Sequence, residues 1–378
     1  MKLTTDWYQR KTRQIQQKMG EEGLDALLLL DPYNIFYSTG FFHQSTERPL
    51  GLFLPQNGDP AFYVPLLEQE MASETWVEDV HVYFDFPGPV HPIAWMLKSN
   101  KNFKRIGIDQ LSVRQWDIAR AARPDALISD LVYTMRLVKD PEEIAILDKA
   151  SIYADYMVEM AREGILLQLP EREVFNYGRD RVVARMQGEM EDMVFLNAVL
   201  VNGAVLYGPH SAYPHGLMTD SKPQPGDVIE CGFGALVATY ESESEHTFIY
   251  GEPDKQQISY FNAMYGAWKA GMEAARPGVT CAEVNKASLS VIREAGYEKF
   301  LRHRMGHGKG LQEHEAPWVE EGDHTILLPG MIISDEPGLY VPGYGGFRHS
   351  DTLVITETGC RRMTLYPREL EACILPVK

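Results

Sequence analysis

The chain has 378 residues, of which 44% are hydrophobic and 24% are charged. These fractions are typical of globular proteins and argue against a disordered or fibrous chain, and the length suggests two domains or one large one. The 36 Lys and Arg residues against 53 Asp and Glu residues give a formal net charge of −17. Since such an acidic chain repels phosphate backbones, nucleic acid is a poor candidate partner.

Cysteine spacing and apolar runs indicate the compartment. The four cysteines lie far apart and form no CxxC pair, which predicts reduced and mostly buried thiols. The N-terminal stretch is charged and polar, without the apolar core of a signal peptide. The longest apolar runs, such as Ala26–Leu30, are far below the roughly 20 residues that span a bilayer. We therefore expect a cytoplasmic protein with no membrane partner.

Strand and helix patterns alternate through about residue 135, which predicts an α/β domain. The predicted elements, in chain order, are a helix over Asp6–Glu22 that ends at Gly23, a buried strand over Leu24–Leu30, a short strand over Ile35–Tyr37 that ends at Gly40, a hairpin of Leu50–Leu54 with Ala61–Val64, and a strand over Ile106–Ile108. Gly residues and Asp-Pro dipeptides mark the turns between these elements.

The pattern changes at Lys139-Asp140-Pro141-Glu142-Glu143, which is a helix start. We place a domain boundary there, giving domains of residues 1–140 and 141–378. The elements predicted beyond it are helices over Ile144–Ile165, after Pro170, over Gln256–Ala275 and over Cys281–Ala295, and strands over Ala198–Val201, Val228–Ile229, Met331–Ser334 and Leu353–Thr356.

Polar residues that could take part in catalysis or metal binding gather after residue 200. A Gly- and Pro-rich loop, Gly208–Gly216, carries His215, which could supply a base or act only as a surface donor. Further on, Glu241, Glu243 and Glu245 alternate, so on a strand they would share one face. That face is either a solvated acidic edge or a cleft whose carboxylates require a cation or raised pKa values.

Two later stretches are rich in Gly, His and acidic residues. Gly306–Pro317 reads Gly-His-Gly-Lys-Gly-Leu-Gln-Glu-His-Glu-Ala-Pro, and it matches neither a phosphate-binding loop nor an HExxH zinc motif. The second stretch contains Glu336-Pro337-Gly338 and then Arg348-His349-Ser350-Asp351. Glu336 follows an apolar strand, as Glu230 does earlier, and a solvated carboxylate is not expected at either place.

The order and spacing of these stretches resemble the "pita-bread" superfamily of creatinase, Xaa-Pro aminopeptidase, prolidase and methionine aminopeptidase. The segment Asp31–Phe41 resembles the N-terminal domain of its prolidase and creatinase branch, and Arg136–Ile144 resembles the junction between domains. The resemblance covers nearly the whole chain. It implies a creatinase/prolidase-type α/β domain followed by an α+β pita-bread domain with a curved, mostly antiparallel sheet.

Peptidases of that superfamily hold two divalent metals on two Asp, one His and two Glu. The resemblance puts these ligands, in that order, at Glu230, Glu243, His307, Glu336 and Ser350, with Glu241 as an alternative for the second. Two bridged metals lie about 3.5–4 Å apart and need bridging carboxylates, which a Ser hydroxyl cannot replace. We therefore expect no catalytic metal, and keep one divalent ion (Mn, Co or Zn) on Glu230, Glu243, His307 and Glu336 as the alternative.

Creatinase has this fold and hydrolyses its substrate without a metal, and the resemblance aligns its catalytic His with His215 and a Glu with Glu245. We therefore hypothesise a metal-independent hydrolase of a C–N bond in a small zwitterionic or guanidino compound, with His215 as general acid and base. The full set of expected catalytic residues is His215, Glu245, His314 and Glu336. The expected substrate-binding residues are His307, Arg348 and Tyr340, although Arg348 could instead pair with a neighbouring Glu.

Two other functions stay open at this point. The first is a metal-dependent Xaa-Pro peptidase with a degenerate metal site, and the second is a catalytically inactive binding module on the same fold. The resemblance also implies a homodimer that acts on a small-molecule substrate.

Overall fold

The computed structural model describes residues 2–43, 46–190 and 199–377. Within these ranges the chain forms two compact units, one of Leu3–Arg136 and one that starts at Leu137. In the described ranges, no helix has the length and apolar character needed to cross a membrane.

The described part of the first unit is built on one six-stranded sheet. Its elements are α1 (Thr5–Glu22), β1 (Ala26–Leu29), α2 (Pro32–Thr39), β2 (Gly51–Pro55), β3 (Ala61–Pro65), α3 (Gln69–Ser73), β4 (Asp79–Tyr83), α4 (Pro92–Ser99), β5 (Ile106–Ile108), α5 (Val113–Ala122), β6 (Leu127–Ile128) and α6 (Leu131–Met135). The strand order of the sheet is β4-β3-β2-β1-β5-β6. Strands β3 and β4, β1 and β5, and β5 and β6 pair in parallel, whereas β2 pairs antiparallel with β1 and β3. The expected α/β class is confirmed.

Local signals explain why α1 forms where the sequence predicts it. The Thr4 side chain caps the first turn by accepting a hydrogen bond from the Trp7 backbone N–H at 3.3 Å. Gly23 ends the helix in the left-handed conformation, with φ of 67°. The predicted β2–β3 hairpin and the strand Ile106–Ile108 are also confirmed.

The short strand predicted over Ile35–Tyr37 is wrong, because these residues lie in α2. Asp31 caps that helix by accepting hydrogen bonds from the backbone N–H groups of Tyr33 and Asn34, both at 2.9 Å. Pro32 occupies the first turn and Gly40 ends the helix with φ of 82°. A three-residue apolar run has no measurable period, so these flanking capping residues were the more reliable signal.

The second unit combines helices with a curled, mostly antiparallel sheet, which confirms the expected α+β pita-bread class. Its elements are α7 (Pro141–Leu166), α8 (Glu171–Glu189), β7 (Val201–Tyr207), β8 (Val228–Val237), β9 (Tyr240–Tyr250), α9 (Lys255–Ala274), α10 (Cys281–Glu294), β10 (Gly306–Gly308), β11 (Glu315–Val319), β12 (Ile332–Asp335), β13 (Gly338–Val341), β14 (Gly345–Arg348), β15 (Ser350–Ile355), β16 (Cys360–Arg362), α11 (Leu370–Cys373) and β17 (Ile374–Leu375). The strand predicted over Ala198–Val201 begins at Val201, and Ala198 lies outside the described residues.

In the described part of this unit, nine strands form one sheet with the order β11-β10-β12-β15-β9-β8-β7, and β16 and β17 join at β15 and β9. The long β8–β9 hairpin lies next to the edge strand β7 and pairs Gly232 with Glu245 and Gly234 with Glu243. A Cβ at Gly232 would lie 2.7 Å from Glu245 Oε1, and one at Gly234 would lie 2.3 Å from Glu241 Oε1. The glycines of β8 therefore leave the space that the carboxylates of β9 occupy.

Candidate metal centre

Three buried side chains from separate parts of the sheet meet at one point. Glu243 comes from β9, His307 from β10, and Glu336 follows the last residue of β12. His307 Nε2 lies 3.3 Å from Glu336 Oε1 and 3.9 Å from Glu243 Oε1. One potential ligand atom from each residue lies within 4.8 Å of the other two. One nitrogen and two carboxylate oxygens thus face a common point.

The protonation state of His307 suits a metal ligand. Its Nδ1 lies 3.0 Å from the carbonyl oxygen of Gly308, so Nδ1 carries the proton and donates it. Burial lowers the pKa of His307 to about 3, so the ring is neutral at physiological pH. Nε2 is buried and has no hydrogen-bond partner among the described residues. An unprotonated nitrogen beside two carboxyl groups can serve as a ligand for a cation placed between them.

Lys309 lies beside this group, fully buried. Its ammonium forms ion pairs with Glu243 Oε2 at 2.9 Å and with Glu241 Oε1 at 3.3 Å. Burial alone would lower the pKa of Lys309, but these two carboxylates raise it above its usual value, so the ammonium stays charged. Although burial opposes ionisation of Glu243 as well, Lys309 helps to lower the pKa of that carboxyl to about 2.

Arg348 neutralises a second pair of carboxylates. Its Nη2 donates to Glu230 Oε1 at 2.7 Å, and its Nε lies 2.6 Å from Glu245 Oε2. Arg348 therefore pairs with two neighbouring Glu residues and also lines the cleft, so its expected role in substrate binding stays a prediction. Glu230 is therefore held by a guanidinium and does not join the group of Glu243, His307 and Glu336.

The remaining expected site residues lie around one cleft of about 760 Å³ in the second unit. His215 and His314 are exposed on its wall, and the His314 ring centroid lies 4.1 Å from that of His307. Tyr340 is buried behind the wall, where its hydroxyl lies 2.8 Å from His303 Nε2. His303 Nδ1 lies 2.7 Å from the Arg304 carbonyl and carries the proton, so Nε2 accepts the tyrosine hydrogen. The structure thus gathers the expected residues at this cleft, although Tyr340 is not among the residues that line it and contacts the lining residue His303.

A single divalent cation fits these donors, whereas a pair does not. Glu243 Oε1, His307 Nε2 and Glu336 offer the mixed oxygen and nitrogen set that Mn²⁺, Co²⁺ and Zn²⁺ accept. A second cation would need Glu230, which Arg348 holds, and residue 350, where Ser350 only donates a hydrogen bond to Glu243 Oε1 at 2.8 Å.

Another group of potential ligands, His246, His349 and Cys373, does not fit a metal. Arg368 places its guanidinium 2.9 Å from His246 Nδ1, and the other nitrogen of that ring lies 3.3 Å from Cys373 Sγ. His349 Nε2 donates to the Arg368 carbonyl at 3.1 Å, while its Nδ1 accepts from the Thr247 N–H at 3.4 Å. All four ring nitrogens are committed, and the neighbouring guanidinium repels a cation.

The importance of Lys309 was missed by the sequence reasoning. The available signal was a charged residue inside a run of glycines, two positions after His307 and therefore on the same face of an extended segment.

Residues 145–357 match the model of metallopeptidase family M24, and residues 11–138 match the creatinase/prolidase N-terminal domain. The chain belongs to metallopeptidase family M24. This M24 chain is 34% identical to an Xaa-Pro dipeptidase of Pyrococcus furiosus over 93% of its length and 97% of the relative. It is 30% identical to an Xaa-Pro dipeptidase of Lactobacillus delbrueckii over 96% of its length and 98% of the relative.

Solved structures of a prolidase and a dipeptidase are also similar to this chain. The prolidase from Pyrococcus horikoshii superposes with a TM-score of 0.82 at 30% identity, covering 96% of this chain and 99% of the other. The dipeptidase PepE from Mycobacterium ulcerans superposes with a TM-score of 0.88 at 27% identity, covering 100% of both chains. The M24 chain is a hydrolase that acts on C–N bonds.

The expectation of a metal-independent, creatinase-like hydrolase is wrong, because the relatives are Xaa-Pro dipeptidases and the family is one of metallopeptidases. That expectation rested on Ser350, which stands at the position of a ligand carboxylate, and on Glu245, which aligns with a Glu of creatinase. The loss of a carboxylate at Ser350 removes one ligand, but it leaves Glu243, His307 and Glu336 together. Glu245 is paired with Arg348, so the expected anchor for a cationic substrate already has a cation.

Proposed function

We propose that this protein is a metal-dependent Xaa-Pro peptidase, acting on dipeptides, with one divalent cation held by Glu243, His307 and Glu336. The observation that carries the proposal is the buried Nε2 of His307, which has no hydrogen-bond partner among the described residues and faces two carboxylates. The relatives described above support the choice of substrate.

The charge balance of the cleft supports a cation as well. Five carboxylates contact this group or its two basic neighbours, namely those of Glu230, Glu241, Glu243, Glu245 and Glu336. In the described part of the cleft, the cations that contact them are Lys309 and Arg348, because His307 is neutral. Burial, reinforced by Glu243 and Glu245, raises the pKa of Glu336 well above its usual value. A divalent cation would offset this excess of negative charge.

A bound divalent ion at this point supplies Lewis-acid chemistry, which polarises a carbonyl and lowers the pKa of water. Glu336 is placed to accept a proton from water and to pass it to the leaving nitrogen, because its carboxyl group lines the cleft. His215 and His314 stand on the cleft wall as donors for substrate oxygens. Arg302 and Arg304 on the same wall provide positive charge for the free carboxylate of a dipeptide.

Hydrolysis of Xaa-Pro dipeptides by chelator-stripped protein, with and without added Mn²⁺, Co²⁺ or Zn²⁺, tests the proposal. We expect cleavage of the Xaa-Pro bond only when a metal ion is added, and loss of activity after renewed chelation. Creatine and a dipeptide without proline serve as substrate controls. Equal turnover with and without metal, or no metal bound to the folded protein, would contradict the proposal.

We also propose a homodimer in the cytoplasm, with small peptides as substrates and neither nucleic acid nor membrane as a partner. Free thiols at all four cysteines are consistent with a reducing compartment. Light scattering during size-exclusion chromatography would measure the oligomeric state directly.

A further inference from the structure

The two carboxylate oxygens of Glu243 have different surroundings. Oε1 accepts a hydrogen bond from Ser350 at 2.8 Å and faces His307 Nε2 at 3.9 Å. Oε2 lies 2.9 Å from Lys309 Nζ. A carboxylate that bridges two metal ions offers one oxygen to each of them. In this chain the direction that the second ion would take is occupied by an ammonium group.

Hydrogen bonds of both the side chain and the backbone hold Lys309 in that position. Three acceptors surround the three protons of its ammonium: Glu243 Oε2, Glu241 Oε1 at 3.3 Å and the Glu313 carbonyl at 2.9 Å. The Lys309 backbone N–H donates to the Ile332 carbonyl at 3.0 Å. Because the side chain is fully buried and its donors are all used, the ammonium cannot move aside without leaving buried acceptors unpaired.

We infer that Lys309 acts as a built-in cation in place of a second metal ion and limits the centre to one divalent ion. The inference rests on the proposed metal-dependent function. The chain places a fixed charge where a second exchangeable ion would otherwise balance Glu241 and Glu243. Ser350 complements this arrangement, since its hydroxyl donates to Glu243 Oε1 and adds no further negative charge to the group.

Mn²⁺ binding distinguishes a single ion from a pair. Equivalents bound at saturation are measured by elemental analysis, and the electron paramagnetic resonance spectrum separates an isolated ion from two coupled ions. The test variant is Lys309→Met combined with Ser350→Glu, which removes the ammonium and restores a carboxylate. The matched controls are Lys309→Arg, which keeps the charge, and Ser350→Glu alone, which keeps Lys309.

We expect one equivalent of Mn²⁺ in the unaltered protein and in both controls, and two coupled ions in the double variant. Lys309→Met alone should bind its single Mn²⁺ about tenfold more tightly or better, because a positive charge beside a ligand carboxylate has been removed. If Lys309→Met does not fold, Lys309→Met combined with Glu241→Gln removes one charge of each sign and serves for the affinity measurement.

Two equivalents in the unaltered protein would overturn the inference and leave the proposed function intact. A folded double variant that still binds one ion, together with unchanged affinity in Lys309→Met, would also overturn it. No Mn²⁺ bound by the unaltered protein would instead overturn the proposed function itself.

Discussion

His307 Nε2 lies 3.3 Å from Glu336 Oε1, and the ring directs an unprotonated nitrogen at that carboxylate. The Gly308 carbonyl fixes this tautomer by accepting the proton of Nδ1. An orientation of this kind prepares a ligand before the ion arrives, which reduces the free-energy cost of binding.

We predict that His307→Ala weakens divalent metal binding by at least about 100-fold and abolishes peptidase activity, because a ligand contributes more than the 10- to 100-fold typical of its outer partners. Titration calorimetry with Mn²⁺ measures the first effect without relying on turnover. His324→Ala is the matched control, since His324 is an exposed histidine of the same unit and lies outside the cleft lining. Metal affinity within twofold of the unaltered protein would contradict the assignment of His307 as a ligand.

Arg348 joins two strands through carboxylates, since it contacts Glu230 on β8 and Glu245 on β9. We predict that Arg348→Met lowers the free energy of unfolding by about 3–5 kcal/mol, because it leaves two buried carboxylates without their counter-ion. Urea denaturation of the chelator-treated protein measures this change.

The control for that measurement is Arg361→Met. Arg361 pairs with Asp148 at 2.7 Å, but the two side chains are 47% and 40% exposed, so the loss should stay below about 1 kcal/mol. A similar, small loss of unfolding free energy in both variants would show that Arg348 does not neutralise buried carboxylates.

The strand period made the Glu241–Glu245 face predictable, because alternate residues of a strand point the same way. The cations opposite that face were not predictable. Lys309 comes directly after β10, and two strands, β12 and β15, separate β10 from β9 in the sheet order. Only the curl of the sheet brings Lys309 to Glu243, and no local pattern in the sequence records that curl. The sequence also left the choice between Glu241 and Glu243 open. In the structure Glu243 groups with His307 and Glu336, whereas Glu241 pairs with Lys309.

Like charges also face each other at the end of β12. Asp335 lies directly opposite Asp351 in the β12–β15 ladder, and both are fully buried. Asp351 is ion-paired with Arg368 at 2.8 Å and with Arg362 at 3.0 Å, so it keeps its charge. Burial, and then Asp351, raises the pKa of Asp335 well above its usual value. Asp335 is therefore the partner that holds a proton.

This arrangement predicts how stability depends on pH. The folded state keeps the Asp335 proton above pH 4, where the unfolded chain has lost it, so this group's contribution to stability falls as the pH rises from about 4 toward the folded pKa. Asp335→Asn keeps the shape without the charge and should be more stable than the unaltered protein at pH 7. The difference should shrink toward pH 4. Urea denaturation at several pH values measures both curves, and parallel curves would contradict the prediction.

Arg302 is an exposed residue on the cleft wall, and its Nη1 is held by the carbonyls of Lys299 and Leu301 at 2.7 and 2.9 Å. No described residue accepts a hydrogen bond from the other guanidinium nitrogens, which are therefore open to an anion. A dipeptide carries a carboxylate one residue from the scissile bond. We predict that Arg302→Ala raises KM for an Xaa-Pro dipeptide by about 10- to 100-fold, the equivalent of one charge-assisted hydrogen bond of about 1.5–3 kcal/mol.

The corresponding dipeptide amide separates recognition of the carboxylate from a general defect, because it keeps the scissile bond and lacks the negative charge. Its KM should change by less than about twofold in Arg302→Ala, since no ion pair is lost. Lys299→Ala is the matched control, because Lys299 is a nearby exposed cation that does not line the cleft. An equal rise in KM for the acid and the amide would mean that Arg302 shapes the wall of the cleft rather than binding the substrate carboxylate.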